Sequence, residues 1–173
     1  MRWAGARGST IDHYGRIMRT LQELNDLEDI RNLRLDYTHH FDGGDLDALL
    51  GLYVDDAVCD FGPFGLWEGK DAMRAGWQPY FDGRAGSPRY AYGRHAVTNP
   101  RISVNGDEAT GDWFLIDISY FERGSTTPRE NPVVLYGTYE DRYKRVNGVW
   151  KIVRTTLHFQ WPVPGGAPAG LVR

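Results

Sequence analysis

The sequence lacks the features that define several common classes of protein. Cys59 is the single cysteine among 173 residues, which excludes an internal disulfide framework and a zinc site built from several cysteines. A reducing, cytoplasmic location is therefore expected. No apolar run is long enough to span a bilayer, and the amino terminus has no apolar signal-peptide segment. We accordingly expect no association with a membrane.

Charge and motifs narrow the possible partners further. The net charge of −3 at pH 7 provides no basic surface, so no nucleic acid partner is expected. The absence of GxGxxG and GxxxxGK[ST] argues against NAD and ATP. There is no HExxH motif. The adjacent His39 and His40 point about 100° apart on a helix, so they do not form a joint pair of metal ligands. We predict no cofactor and no metal; His95 with nearby carboxylates is the remaining metal alternative.

Aromatic residues are abundant instead. They make up 13% of the chain, with 6 Trp and 10 Tyr. Because aromatic rings bury large areas and shape apolar pockets, this content is consistent with a hydrophobic ligand pocket. An aromatic core or a subunit interface explains the same content equally well.

The first third of the domain has helical periodicity. Apolar residues recur every three or four positions and predict a helix across 20–41 with one buried face. The residues on that predicted face are Leu21, Leu24, Leu27, Ile30, Leu33, Tyr37 and Phe41. Gly43 and Gly44 should end this helix, and Asp45 should cap a second, short one. The residues of this second helix that are predicted to face inward are Leu46, Leu49, Leu50 and Tyr53.

The period then changes to two, which is typical of strands. "AVCDF" and "LWEGK" predict short strands, "KDAMRAGWQPYF" predicts a third helix, and the chain after Tyr90 is nearly all strand. "NGD" at 105–107 and "NG" at 147–148 predict hairpin turns. We predict one α+β domain over 20–161, with a curved, mostly antiparallel sheet around the amino-terminal helices. A mobile segment (1–19) should precede it, and an extended Pro/Gly-rich tail (162–173) should follow it.

His95, within "YAYGRHAVTN", is the best candidate for acid–base chemistry. An imidazole titrates near neutral pH and can accept a proton when a carboxylate orients its other ring nitrogen. A histidine on a strand is nevertheless more often an ordinary core or edge residue. Sequence spacing alone does not pair His95 with Asp42.

The order of several segments resembles the SnoaL-like branch of the nuclear transport factor two-like superfamily. The segments are "LxDIxxLxxxYxxxxD", "GDLDAL", "YxxDA", "GRHAVTN", "GDWFLID" and "YGTYEDRYKRVNGVWKI". This resemblance covers most of 20–161 and implies a cone-shaped α+β barrel whose open end is a hydrophobic pocket. The pattern is most similar to the superfamily's cofactor-free lyases, namely bile acid 7α-dehydratase, scytalone dehydratase and the lindane dehydrochlorinase.

The resemblance also implies roles for individual residues. Asp42 would pair with His95 and orient it as the base, while Tyr37 or Asp117 would be the acid. Thr155 stands where the dehydrochlorinase can have an arginine, and that enzyme has lysine at the Tyr37 position, so the dehydratases fit better. The residues expected to bind substrate are Tyr53, Trp67, Trp77, Tyr92, Trp113, Thr155 and His158.

These observations predict a cofactor-independent lyase that performs a dehydratase-type β-elimination. Its substrate would be a small apolar cyclic molecule such as a steroid, a terpenoid or a polyketide, and the family implies a homodimer or homotrimer. An isomerase or cyclase with the same His–Asp dyad is the nearest alternative. A small-ligand-binding domain, or a structural subunit like the β subunit of ring-hydroxylating dioxygenases, is a non-catalytic alternative.

Overall fold

The computed structural model describes residues 19–83, 89–123 and 131–161. The three helices are α1 (Leu21–Gly43), α2 (Leu46–Gly51) and α3 (Lys70–Asp82). The six strands are β1 (Tyr53–Asp60), β2 (Leu66–Glu68), β3 (Tyr90–Asn105), β4 (Glu108–Phe121), β5 (Val133–Val146) and β6 (Val149–Trp161). Except for Arg19, the predicted mobile segment 1–19 lies outside the described residues, as does the predicted tail 162–173.

Helix α1 begins and ends at strong capping signals. The Thr20 hydroxyl accepts a hydrogen bond from the Glu23 amide at 3.1 Å, and the Glu23 carboxylate accepts one from the Thr20 amide at 2.6 Å. This reciprocal capping box satisfies two amides that the helix leaves unpaired. At the other end Gly44 has a φ of 73°, the left-handed conformation that glycine adopts at low cost. The predicted helix and its glycine break are confirmed.

The predicted buried face of α1 is correct from Leu27 to Phe41 but wrong for its first two members. Leu21 is 74% exposed and Leu24 is 49% exposed. At 100° per residue they lie about 180° and 120° around the helix from the fully buried Ile30, so they belong to the opposite face. Each step of three or four residues is compatible with a single helix face. Three consecutive steps of three residues, from Leu21 to Ile30, nevertheless add up to a rotation of about 180°, which the spacing rule alone does not detect.

The strands form one open, mixed sheet in the order β2-β1-β6-β5-β4-β3. Strand β1 runs parallel to β6, and the other neighbouring pairs are antiparallel. Both predicted hairpins are present, and Asn147 and Gly148 have the positive φ values, 51° and 83°, that a tight Asn-Gly turn requires. The predicted α+β cone is confirmed, with the helices packed on one face of a sheet that does not close.

The inner face of the sheet and the three helices enclose the core. Every second residue of β4 from Ala109 to Phe121 is buried, whereas Phe114 and Ile118 on the opposite face are about half exposed. Cys59 is a fully buried thiol whose sulfur lies 3.6 Å from the Tyr53 hydroxyl. The inner face therefore determines which polar side chains of the sheet can meet those of α1.

Candidate active site

Asp42 and His95 are in direct contact. Asp42 lies in the last turn of α1, and its Oδ1 is 2.6 Å from Nδ1 of the His95 ring on β3. The backbone amide of His95 donates a second hydrogen bond, 3.0 Å long, to Oδ2 of the same carboxylate. Two bonds to one carboxylate hold both the strand and the imidazole ring in place. The contact that the resemblance implied is present, while its catalytic role stays a prediction.

A tyrosine completes the hydrogen bonding of Asp42. The Tyr90 hydroxyl donates to Oδ1 of Asp42 at 3.0 Å. Gly93 permits this approach, because a Cβ at that position would collide with the Tyr90 hydroxyl. Burial raises the pKa of Asp42, but the hydrogen bonds from His95 and Tyr90 outweigh it, and the pKa lies below its ordinary value. Asp42 is therefore an ionised acceptor suited to orienting an imidazole.

Asp117 lies on the other side of the His95 ring. It is the residue directly opposite His95 in the pairing of β3 with β4, and its Oδ2 is 3.6 Å from Nε2 of the ring. That distance is too long for a hydrogen bond. The Ser119 hydroxyl donates to the other oxygen of Asp117 at 2.6 Å. Burial raises the pKa of Asp117, and the opposing effects of His95 and Ser119 do not cancel it.

The raised pKa of Asp117 predicts a pH-dependent effect on stability. In the folded protein its carboxyl holds a proton more tightly than in the unfolded chain. The stability that it contributes is thus complete below the unfolded pKa and is lost as pH rises through the folded pKa. Asp117→Asn, which stays neutral, should therefore gain stability relative to the wild type as pH rises from 3 to 7. Urea unfolding curves across this range measure the free energy of unfolding of the variant and of the wild type. If the variant's value minus the wild-type value stayed constant or decreased with pH, the raised pKa of Asp117 would be contradicted.

The site is almost closed to solvent. Exposed fractions are 7% for the His95 side chain, 12% for Asp42 and 8% for Asp117. The Phe41 ring approaches the imidazole edge to face, with 4.6 Å between the centroids. Two surface cavities of about 240 and about 550 Å³ are bordered by other residues. The predicted hydrophobic pocket thus stays a prediction.

Tyr37 and Thr155 do not belong to the site around His95. They belong to a second polar group deeper in the core. We call this group the inner cluster and define it as Arg34, Tyr37, Asp141 and Thr155. All four side chains are completely buried. Nε of Arg34 lies 3.6 Å from a carboxylate oxygen of Asp141, and that carboxylate accepts a 2.6 Å hydrogen bond from the Tyr143 hydroxyl. Burial raises the pKa of Tyr37 well above its ordinary value, which makes it a weaker acid than Asp117.

The other predicted binding residues on the inner side are packed side chains. Tyr53, Trp77 and Trp113 are between 1% and 4% exposed, and the Trp113 indole donates to the Tyr143 hydroxyl at 3.0 Å. Trp67 is half-buried and packs edge to face against Trp77, with 5.9 Å between ring centroids. Their roles in substrate binding stay predictions.

The prediction that Tyr92 and His158 line the pocket is wrong. Tyr92 is 61% exposed and stacks on Tyr120, since the pairing of β3 with β4 is irregular between positions 90 and 92 and the alternation of faces is lost there. His158 follows the buried Leu157, so its side chain points outward, where Nε2 lies 3.4 Å from a Glu140 oxygen.

Several polar residues of the interior were missed by the sequence analysis. The alternation of β4 places Ser119 on the same face as Asp117, two positions later, and could have identified it. Arg34 could have been found from helical phase, because it lies about 40° from Ile30 on the buried side of α1. Asp141 alternates with the buried aromatic residues of β5 in the same way.

Two features are absent from the described part of the chain, a group of candidate metal ligands and a candidate membrane-spanning helix. Within residues 19–83, 89–123 and 131–161, no three or more His, Cys, Asp or Glu side chains are placed to hold a metal ion. In the same ranges, no helix combines the length and apolar character needed to cross a bilayer.

Comparisons with known proteins agree with this architecture. A proposed scytalone dehydratase from Novosphingobium aromaticivorans is 24% identical, with 87% of this chain and 97% of that one covered and a TM-score of 0.68. A proposed aromatic ring hydroxylase from the same species is also 24% identical, with coverages of 82% and 93% and a TM-score of 0.68. Hexachlorocyclohexane dehydrochlorinase type 3 from Novosphingobium barchaimii is 21% identical, with coverages of 87% and 95% and a TM-score of 0.66.

At these identities the three likenesses show the fold. The family model described as the SnoaL-like domain matches residues 22–156, which include α1 from its second residue, the other two helices and most of the sheet. The chain belongs to the SnoaL-like family.

Proposed function

We propose that the protein is a cofactor-independent lyase that removes water from an apolar cyclic hydroxy compound. The observation that carries this proposal is the position of the His95 ring between two carboxylates, with Asp42 at 2.6 Å from Nδ1 and Asp117 at 3.6 Å from Nε2. Family membership and fold neighbours described as a dehydratase and a dehydrochlorinase support lyase-type activity, without specifying the substrate or the catalytic residues. The aromatic side chains around His95 and Trp77 support an apolar ring as the substrate.

His95 is the proposed base. With Asp42 accepting a hydrogen bond from Nδ1–H, the ring is held in the tautomer whose free lone pair is on Nε2. Nε2 would take the proton from a carbon that an adjacent carbonyl has made acidic. The imidazolium that forms is stabilised by the ionised Asp42, as a carboxylate stabilises the histidine in other acid–base dyads. Asp42 is thus an orienting group that is not itself protonated.

Asp117 is the proposed acid. A carboxyl group with a raised pKa can remain protonated and donate its proton to the departing hydroxyl group. The C–H and C–O bonds break, a C=C bond forms, and water leaves. Transfer of the proton from the His95 imidazolium to the Asp117 carboxylate, across 3.6 Å, then restores both groups. The cycle is balanced and consumes no other reagent.

The short distance between base and acid constrains the stereochemistry. Two groups 3.6 Å apart can reach a hydrogen and a hydroxyl on neighbouring carbons only from the same face of a ring. We therefore expect syn elimination.

A screen of cyclic β-hydroxy ketones tests the proposal. Wild-type protein should produce the absorbance of a conjugated enone from at least one ring compound. A substrate with deuterium on the same face as the hydroxyl should lose that deuterium. Tyr92→Phe, on the outer face of the sheet, is the matched control and should behave like the wild type. Absence of turnover across one- to four-ring compounds would contradict the proposal, and loss of the opposite-face hydrogen would contradict the assignment of Asp117.

The same base and acid support one alternative reaction. A base and an acid 3.6 Å apart can also move a proton between carbons without releasing water. An isomerase would shift the double bond of a cyclic β,γ-unsaturated ketone into conjugation, and a parallel screen of such ketones would detect it as a spectral change without loss of mass.

A homodimer or homotrimer is part of the proposal. It is supported by the apolar outer face of the sheet, where Phe114 is 54% exposed and Ile118 is 47% exposed. Exposed apolar patches of this kind are typical of protein interfaces. Light scattering of the purified protein measures the oligomeric state, and a monomer at micromolar concentration would contradict this part of the proposal.

A further inference from the structure

The inner cluster contains buried polar atoms without partners. Across the described residues, hydrogen-bond partners are missing for all three guanidinium nitrogens of Arg34, Oη of Tyr37, Oδ1 of Asp141 and Oγ1 of Thr155. More than nine in ten buried polar groups in folded proteins have a partner, because an unpaired one costs its full desolvation energy. The three Arg34 nitrogens have the fewest alternatives, since the Tyr37 and Thr155 hydroxyls also interact with Tyr139 and Asp141. A further hydrogen-bond acceptor therefore belongs beside the Arg34 guanidinium.

Aromatic rings direct the guanidinium toward such a group. The Arg34 guanidinium carbon lies 4.2 Å from the centroid of the Tyr37 ring and 3.6 Å from that of Tyr139. These rings lie over its face, so its N–H groups can only donate in the guanidinium plane. The nearest carboxylate oxygen, on Asp141, is 3.6 Å from Nε and does not accept a hydrogen bond at that distance.

The charge of the cluster selects a neutral partner. Arg34 is permanently charged, and Asp141 at 3.6 Å is the counterion that balances it. A second anion would place an uncompensated negative charge in a fully buried site. A carbonyl or hydroxyl oxygen can accept from the guanidinium without adding charge, and Tyr37 and Thr155 can donate to it as well.

The inner cluster lies deeper than His95. The side chains of Asp42 and His95 retain 12% and 7% exposure, whereas all members of the inner cluster have none. Arg34 precedes Asp42 by eight residues on α1, which corresponds to about 12 Å along the helix axis. A molecule that enters past His95 would reach the cluster with its leading end, once the Tyr37 or Tyr139 ring turns aside.

We propose that the inner cluster is a second binding site, specific for a neutral carbonyl or hydroxyl oxygen at the end of the substrate farthest from the reacting carbon. The identification of that molecule as a substrate rests on the lyase function proposed above. Arg34 is the main hydrogen-bond donor, Tyr37 and Thr155 complete the site, and Asp141 keeps it electrically neutral. The preferred substrates are accordingly elongated, at least two-ring compounds that are oxygenated at both ends.

Binding of rod-shaped probes that cannot lose water tests this site independently of catalysis. The probes are 4-phenylcyclohexanone, its hydrocarbon counterpart phenylcyclohexane, and the anion 4-phenylcyclohexanecarboxylate, titrated against the full chain by quenching of tryptophan fluorescence. Wild-type protein should bind the ketone about tenfold or more tightly than the hydrocarbon, as expected for a hydrogen bond to a charged donor. The carboxylate should bind more weakly than the ketone.

Variants of the inner cluster test whether it is the source of the preference for the ketone. Arg34→Met combined with Asp141→Leu removes both charges with side chains of related shape and should abolish the preference for the ketone. Tyr37→Phe and Thr155→Val each remove one unpaired hydroxyl without changing shape, so they should fold and lower the preference about three- to tenfold. His95→Gln should retain the preference, which separates failure of this site from failure of the proposed lyase function.

Three outcomes would overturn the proposal. Equal affinity for ketone and hydrocarbon in the wild type would mean that the cluster holds only water. An unchanged preference in Tyr37→Phe and Thr155→Val would place the ketone elsewhere. Tighter binding of the carboxylate would contradict the neutral charge of the site.

Discussion

His95→Gln should lower the rate of water loss by about 10²–10⁴-fold, the usual contribution of a positioned acid–base group. Glutamine is close to histidine in size, but its amide cannot accept a proton from carbon at neutral pH. The backbone amide of residue 95 also keeps its hydrogen bond to Asp42, so the strand should remain in place. The initial rate of enone formation from the best substrate of the screen measures the effect.

His158→Gln is the matched control. His158 also lies on a strand with a carboxylate oxygen 3.4 Å from its ring, but its side chain is exposed on the outer face. This variant should keep wild-type activity. If His95→Gln also kept its activity, the base would have to be another residue. If it unfolded while His158→Gln did not, His95 would have a packing role.

The second large effect concerns the ion pair of the inner cluster. Asp141→Leu leaves the Arg34 guanidinium buried with no counterion and should cost about 3–5 kcal/mol of unfolding free energy. Arg34→Met should cost less, because the remaining carboxyl group can take up a proton whereas a guanidinium cannot lose one. Burial already raises the pKa of Asp141, which makes that proton uptake easier. Urea unfolding at pH 7 measures both variants.

The double variant and a surface pair provide the comparison. Arg34→Met with Asp141→Leu should recover most of the lost stability, since apolar side chains of related shape can replace a buried ion pair. Glu28→Ala breaks the exposed pair with Arg31, whose atoms are 3.3 Å apart, and should cost at most about 1 kcal/mol. If Asp141→Leu were no more destabilising than Glu28→Ala, Asp141 would not be the counterion on which the buried Arg34 depends.

Local sequence patterns predicted the elements that depend on local physics. The extent of α1 followed from its periodicity and from Gly44, and both hairpins followed from Asn-Gly and Asn-Gly-Asp turns. The contact of Asp42 with His95 joins positions 53 residues apart, and no local rule links such positions. That contact was accessible only through the resemblance to a family.

The wrong predictions have equally specific causes. The irregular pairing near Tyr92 shifts the inward and outward positions of β3 by one residue, and strand alternation cannot reveal where this happens. Arg34 escaped notice because a charged residue is expected on the solvent side of a helix, although its angular position placed it inside. Buried polar residues are therefore the part of this site that sequence patterns identify least well.

Since a single helix carries both Arg34 and Asp42, the length of that helix is under a strict constraint. Removing one residue between them would rotate Asp42 by about 100° relative to Arg34 and pull it away from β3. Evolution of new specificities in this protein should therefore proceed by exchange of side chains along α1, and relatives with the same pair should retain the same eight-residue interval without insertions or deletions.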